Sequence, residues 1–358
     1  MRISHSEFSS PAGIGEHFFS GISVPARDFV AELDALWRDY EAAMAEYGCD
    51  EDSEMLLRFH LSDVTNQASL LHELTAGRKS FVSVIGQPPV AGRVALEAWH
   101  WNGRPKRYAA HWFQCEECAA AGSLAQTEAE FAALEAFLAS MGGSVADNTV
   151  RTWLYCRDVD NNYAGLVTGR NEFFAAHGLT TETHFIASTG IGGQTAIPGR
   201  LVKMESLNFF GLRPGQLTYL NAPEMLSPTT LYGVSFERGA RLAFGDRAYC
   251  FISGTASIDR NGHVVHPGDV AAQTERMLDN VAALLAAGNS GLSDVRWATL
   301  YLRDLADAPG VLPLVRARIG ANTPLIAVLA PVCRPAWLVE MECVALSSRG
   351  DPAFAPLA

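Results

Sequence analysis

The stretch "DVAAQTERMLDNVAALLAA" (residues 269–287) leads into "RWATLYLRDLAD" (296–307), "GVLPLVRARIG" (310–320) and "LIAVLAPVCRPAWLVEMECVAL" (325–346). The first and third have apolar residues at helical spacing, and the second and fourth read as strands. Asp304 closes the first strand and Glu342 sits on the last. The same order occurs twice upstream. In the middle of the chain it is "TEAEFAALEAFLASMGG" (127–143), "VRTWLYCRDVDN" (150–161), "AGLVTGRNEFFAAHG" (164–178) and "HFIASTGIGGQTAIPGRLVKMESLNF" (184–209). Near the start it is "ARDFVAELDALWRDYEAAMAEYG" (26–48), "LLRFHLSDVTN" (56–66), "QASLLHELTAG" (67–77) and "FVSVIGQPPVAGRVALEAWHW" (81–101). Asp63, Asp158 and Asp304 match one another, as do Glu97, Glu205 and Glu342. A recurring helix and strand order predicts an α+β fold of three similar modules.

The repeat places the modules at residues 1–114, 115–215 and 216–358. Only the last has a full leading hairpin, in "AYCFISGTASIDRNGHVVHPGD", where "DRNG" is a turn signal and Asp269 is placed to cap the next helix. "MRISHSEF" and "EHFFSGIS" would start the first module, and "RYAAHWFQCEE" the middle one. Residues 208–247 do not fit the repeat, and such an insertion is a natural place to build a site.

A net charge of -12 excludes a general nucleic-acid or membrane-surface binder, because phosphate affinity needs clustered Lys and Arg. It leaves room for a small anionic substrate held by local arginines. With 48% hydrophobic residues, no leader-like opening and no spanning apolar run, the sequence predicts a cytoplasmic protein, a monomer or small homo-oligomer. The seven irregularly spaced cysteines fit reduced thiols, and "CEEC" (115–118) reads as a strand-end pair rather than half a zinc site.

In "LVEMEC" (338–343), side chains alternate faces, so Glu340 and Glu342 share one face of the last strand. Glu342 belongs to the repeat and reads as scaffold. At the position of Glu340 the other modules have Lys203 and Ala95, so that acid is particular to one cleft. "STGIGG" (188–193) offers backbone N–H groups to an anion but lacks the strand, turn and helix order of a dinucleotide site. Arg157 and Arg303, beside the repeated Asp, read as surface or interface pairs. The histidines form no metal set, His263 and His266 merely flanking a turn.

"FISGTASIDRNGHVVHPGDVAAQTERMLDNVAALL", "RWATLYLRDLAD" and "LVEMECVAL" resemble the RidA (YjgF) family, trimers with ligand sites between subunits. Three fused modules would imitate such a trimer, a pseudo-trimer in one chain. Enamine-hydrolysing members use an arginine where Leu325 stands here, so the resemblance disfavours simple imine deamination at that cleft. "VRTWLYCRDVDNNYAGL", "ASTGIGG", "GDVAAQTERMLDNV" and "VCRPAWLVEMEC" more closely resemble chorismatases, which act on chorismate. That resemblance implies Glu340 as the acid/base residue. It also implies Cys333 and Gly254 as the pair that selects 3-hydroxybenzoate, formed with pyruvate and without metal or cofactor. Tyr232 and Arg238 carry over as substrate-binding residues, although "YGVSFERGA" lacks a further arginine of the family's segment. Thr189, Gly190, Tyr163 and Arg170 complete the expected set. A RidA-like enzyme acting on another small acid or imine, or a metabolite-binding protein, is the alternative.

Overall fold

The computed structural model describes residues 3–115, 118 and 120–358. Strands β1 (Ile3–Phe8), β2 (Gly15–Ile22), β3 (Glu54–Leu61), β4 (Phe81–Gly86) and β5 (Val94–Asn102) form a sheet in the order β1-β2-β5-β3-β4, with helices α1 (Phe29–Glu46) and α2 (Val64–Leu74). A second sheet follows from β6 (Ala109–Gln114), β7 (Thr149–Cys156), β8 (Ala187–Gly192) and β9 (Val202–Phe210), ordered β6-β9-β7-β8, with α3 (Ser123–Ser140), the short α4 (Val145–Asn148) and α5 (Val159–Ala176). The third has β10 (Leu217–Tyr219), β11 (Gly239–Ala243), β12 (Ala248–Ala256), β13 (Val295–Leu302), β14 (Leu325–Leu329) and β15 (Val339–Ser347), ordered β10-β11-β12-β15-β13-β14, with α6 (Val270–Ala287) and α7 (Ala308–Ile319). The four-strand order β2-β5-β3-β4 thus returns as β6-β9-β7-β8 and as β12-β15-β13-β14. In each unit one pair is parallel across a helix, as a strand-helix-strand crossover requires.

The repeated aspartates mark the point where strand becomes helix. Asp63 caps α2 and Asp304 caps a turn of 3-10 helix before α7, each accepting a backbone N–H. Asp158 holds the same place before α5 in a left-handed conformation, with no side-chain cap bond. Asp269 caps α6 through the N–H of Ala272 at 3.0 Å. Along α6, Met277, Leu278, Val281, Leu284 and Leu285 form the buried stripe that helical spacing requires.

Each sheet is buried on both faces. In the first, Phe19, Leu57, Phe59 and Leu61 pack with α1 and α2, whereas Phe18, Leu56 and Trp99 join a core that includes side chains of all three units. That shared core has a polar centre built from the repeated glutamates, each bound by the unit before it in a closed cycle. Glu97 accepts from Trp297 and Thr299 of β13, at 2.6 and 2.7 Å. Glu205 accepts from Arg58 of β3 at 2.8 Å. Glu342 accepts from Arg151 and Trp153 of β7, at 2.8 and 2.7 Å. Three contacts of one kind close a ring from first unit to middle to last and back. Despite full burial, Lys203 and Arg58 hold Glu205 down to about 2, so it stays ionised.

Three expectations need correction. A first module ending at residue 114 would remove β6, which pairs along its length with β9, so the sheets divide between Asn102 and Ala109. The segment outside the repeat is also shorter than 208–247, because β9 runs to Phe210 and β11 begins at Gly239. His263 and His266 are exposed around their turn as expected, but the N-terminal hairpin brings His5, Glu7 and His17 together. Arg303 does pair across units, with Asp160. Among the described residues no disulfide joins two cysteines, and the two residues inside "CEEC" lie outside the described set. No described helix is long and apolar enough to cross a membrane.

Candidate active site between the second and third sheets

Where β15 approaches β8, a narrow cleft opens between the second and third units. β15 supplies Glu340, and the turn before it supplies Cys333, Arg334 and Trp337. β12 supplies Gly254 and Ala256, and the second unit supplies Ser188, Gly190, Tyr163 and Arg170. The segment between β10 and β11 closes the wall with Tyr232, Val234, Phe236 and Arg238. The segment outside the repeat thus forms one wall of the cleft.

Glu340 is 5% exposed and sits at the inner end of the cleft. Burial, with repulsion from Glu342, pushes its carboxyl up to about 8, and Arg238 and Arg151 only partly offset this. At neutral pH the group is therefore mostly a neutral acid with a proton to give. Glu342, two residues on, is bound by Arg151, Trp153 and Thr189. Two carboxyls on one face of one strand thus have opposite surroundings.

Gly254 leaves the space that Glu340 occupies. Register shifts between Ile252 and Thr255 where β12 meets β15, and a Cβ at residue 254 would collide with the Glu340 carboxyl. The N–H of Gly254 donates to Thr189 Oγ1 at 2.9 Å. Burial, then the neighbouring Glu340, pushes the Cys333 thiol up to about 12, so it lines the cleft as an uncharged, polarizable wall. Burial also raises the Tyr163 and Tyr232 phenols, which remain protonated donors.

The cations are the other half of the site. Arg170 is 1% exposed, lies over the Phe236 ring at 5.7 Å, and its Nε and Nη2 have no hydrogen-bond partner among the described residues. Arg238 lies over Tyr232 and Phe236, each at 5.4 Å; its Nη2 donates to the Ser227 carbonyl at 3.0 Å and its Nε has no partner among the described residues. A buried guanidinium with unused donors is costly unless a ligand completes it. Arg334, exposed at the rim, stacks over Tyr232 at 5.2 Å and donates to its carbonyl at 2.9 Å.

Eight of the nine expected site residues line this cleft: Glu340, Cys333, Gly254, Arg238, Tyr232, Gly190, Tyr163 and Arg170. Thr189, expected among them, does not. Neighbours on a strand face opposite ways, so Ser188 and Gly190 reach the cleft while the Thr189 hydroxyl is used by Glu342 and Arg151. Ser188, Val234, Phe236, Arg334 and Trp337 were not anticipated. Arg334 and Trp337 lie in "VCRPAWLVEMEC", but before the strand starts, where alternation gives no direction.

Residues 242–347 match the family described as Endoribonuclease L-PSP. A 3-hydroxybenzoate synthase of Streptomyces hygroscopicus is 27% identical over 216 residues, 55% of this chain and 63% of that protein. A chorismatase of Streptomyces rapamycinicus is 30% identical over 222 residues, 54% of this chain and 63% of that protein. These matches span somewhat less than two thirds of either relative. The 3-aminoacrylate deaminase RutC of Acinetobacter baylyi is 32% identical over 96 residues, 26% of this chain and 76% of that protein. A crystal structure of a chorismatase superposes with a TM-score of 0.66 at 22% identity, covering 83% of this chain and 93% of the other, and shows the same fold. The chain belongs to the RidA (YjgF, RutC) superfamily, with chorismatases and 3-hydroxybenzoate synthases among its homologues.

Proposed function

We propose that the cleft takes chorismate and converts it to 3-hydroxybenzoate and pyruvate, with Glu340 as the proton donor. The observation that carries this reading is a carboxyl pushed up to about 8 beside two buried arginines with unused donors. Chorismate has two carboxylates, one on the ring and one on the enolpyruvyl side chain, and Arg170 and Arg238 offer each a charge-assisted partner. The names of the two Streptomyces relatives point to the same substrate and product.

The chemistry needs little more than orientation and one proton. Glu340 protonates the methylene carbon of the enolpyruvyl group, the C4 hydroxyl oxygen bonds to C3 as the bond from C3 to the side-chain oxygen breaks, its proton passes to the Glu340 carboxylate, and pyruvate departs from a 3,4-epoxide. The reprotonated Glu340 gives its proton to the epoxide oxygen as the C4–O bond opens, and loss of the C3 hydrogen as a proton back to the carboxylate completes an aromatic ring with its hydroxyl on C3. The two products contain every atom of chorismate, so no water is consumed. Aromatisation supplies the driving force, and the enclosed wall of Tyr232, Phe236 and Trp337 holds water off the ring. Gly254 and Cys333 shape the side of the cleft where the ring would turn over, the basis for assigning the 3-hydroxy product.

Purified protein incubated with chorismate should release pyruvate and one aromatic acid in equal amounts, read by coupled assay and chromatography. Pyruvate at no more than the spontaneous rate would overturn the assignment, and a 4-hydroxy product would overturn the roles of Cys333 and Gly254.

A further inference from the structure

Far from the cleft, the N-terminal hairpin holds a cluster that the reaction does not use. His5 and Glu7 are two residues apart on β1 and so share a face, and His17 on β2 is the direct cross-strand partner of Glu7. His5 Nε2 lies 3.0 Å from His17 Nδ1, which lies 4.0 Å from Glu7 Oε2. Two donors to one zinc ion are at most about 4 Å apart, twice the metal-ligand distance. Both measured pairs meet that limit, and the third, between His5 and Glu7, closes within 4.8 Å.

The rings are held in place. His5 stacks on Tyr47 with centroids 3.6 Å apart and packs against Phe19, and His17 is buried with Asn102 at 2.9 Å from its other nitrogen. With Asn102 turned so that its oxygen accepts from Nε2, His17 presents a lone pair at Nδ1, the outer-sphere arrangement usual for a metal-bound histidine. Glu7 is largely exposed, which leaves an open side for a water ligand.

We propose that His5, Glu7 and His17 form a site for a zinc-class divalent cation. Two imidazoles and one carboxylate favour Zn²⁺, Co²⁺ or Ni²⁺ over Mg²⁺ and Ca²⁺, which prefer all-oxygen shells. The ion would pin β1 to β2 where β1 meets the third unit, through Ser6 and the Arg296 carbonyl.

The test uses chelator-treated full-length protein with Co²⁺ and Zn²⁺ as probes. One equivalent of Co²⁺ should give the visible absorption of a four- or five-coordinate ion, and Zn²⁺ should displace it and raise Tm, as a ligand of the folded state does. His17→Asn and Glu7→Gln should each weaken Co²⁺ binding at least about tenfold. Glu7→Gln is the safer of the two because residue 7 is exposed and cannot unfold the core. Absence of the absorption band, or a band unchanged in both variants, overturns the site. So does an equal Tm rise with Mg²⁺.

Discussion

The three places where one unit meets the next are built on one plan, yet only where second and third meet does the position two residues before the ring glutamate carry a carboxyl. Between first and second, the position of Glu340 is taken by Lys203. Its ammonium reaches Glu205 at 2.8 Å, Ser83 at 3.0 Å and the Val84 carbonyl at 3.4 Å, and so fills the gap. Between third and first the position is Ala95, beside His60, which bonds Gln87 at 2.8 Å and Glu97 at 3.3 Å. The common part is the ring glutamate, present and bound in all three. The difference is one side chain per seam: a cation that pairs with the ring, a methyl group that leaves a histidine to do so, or a second carboxyl that cannot pair and stays protonated. The candidate cleft thus coincides with the one seam at which this charge match is removed, the reverse of what stabilises a core.

The largest effect expected from breaking this contrast is on turnover. Glu340→Gln keeps shape and neutrality but has no proton to give, and should cut pyruvate release by about 10²- to 10⁴-fold. In the wild type the rate should hold at neutral pH and fall as pH passes the carboxyl's value of about 8, because the acid form is the one that works. A Gln variant with wild-type turnover, or a rate that climbs through that range, would place the acid elsewhere.

The filled seam gives the next test. Lys203→Met removes one of two cations from Glu205 and leaves a buried carboxylate short of a partner, with Arg58 still in place. It should destabilise the fold by up to about 3 kcal/mol in denaturant unfolding, with turnover per folded molecule unchanged. Loss of turnover beyond loss of folded protein would mean that the filled seam is not merely structural.

How much of this could be read without coordinates follows from the range of each signal. The repeat, the capping aspartates and the ring glutamates are periodic, so one unit's pattern exposes the others, and Glu340 stands out because it breaks the pattern. Alternation put Glu340 and Glu342 on one face, but which of them meets a partner depends on how the sheets dock, and that is not local information. Thr189 failed for a related reason, since neither Thr189 nor Gly190 carries a sign of which face looks into the cleft. Arg170 and Arg238 were named, but their unused donors are visible only in the packing around them. The cluster of His5, Glu7 and His17 was not read from the sequence, because its third member arrives through the register of a neighbouring strand.

The smallest effect sharpens the contrast most, because it separates the two kinds of buried glutamate by sign. In the folded chain Glu340 holds its proton up to about pH 8, whereas its ordinary value is 4.5. Between those limits the unfolded chain releases the proton and the folded one keeps it, so stability falls as pH rises through the window. Below it the residue costs nothing by this route, and above it the folded state carries an ionised carboxylate without a hydrogen-bonded partner. Glu340→Gln removes that penalty, so it should gain about 1–3 kcal/mol relative to wild type between pH 5 and pH 9. Glu205→Gln should behave in the opposite way, because a carboxyl held down to about 2 stabilises the fold at all pH values above its ordinary 4.5 and loses that contribution only in acid. Thermal unfolding of the two variants against wild type across pH 2 to 9 checks both. A Glu340→Gln difference that stays flat across that range would mean the carboxyl is already ionised at neutral pH, and the distinction between the seams would then rest on shape rather than charge.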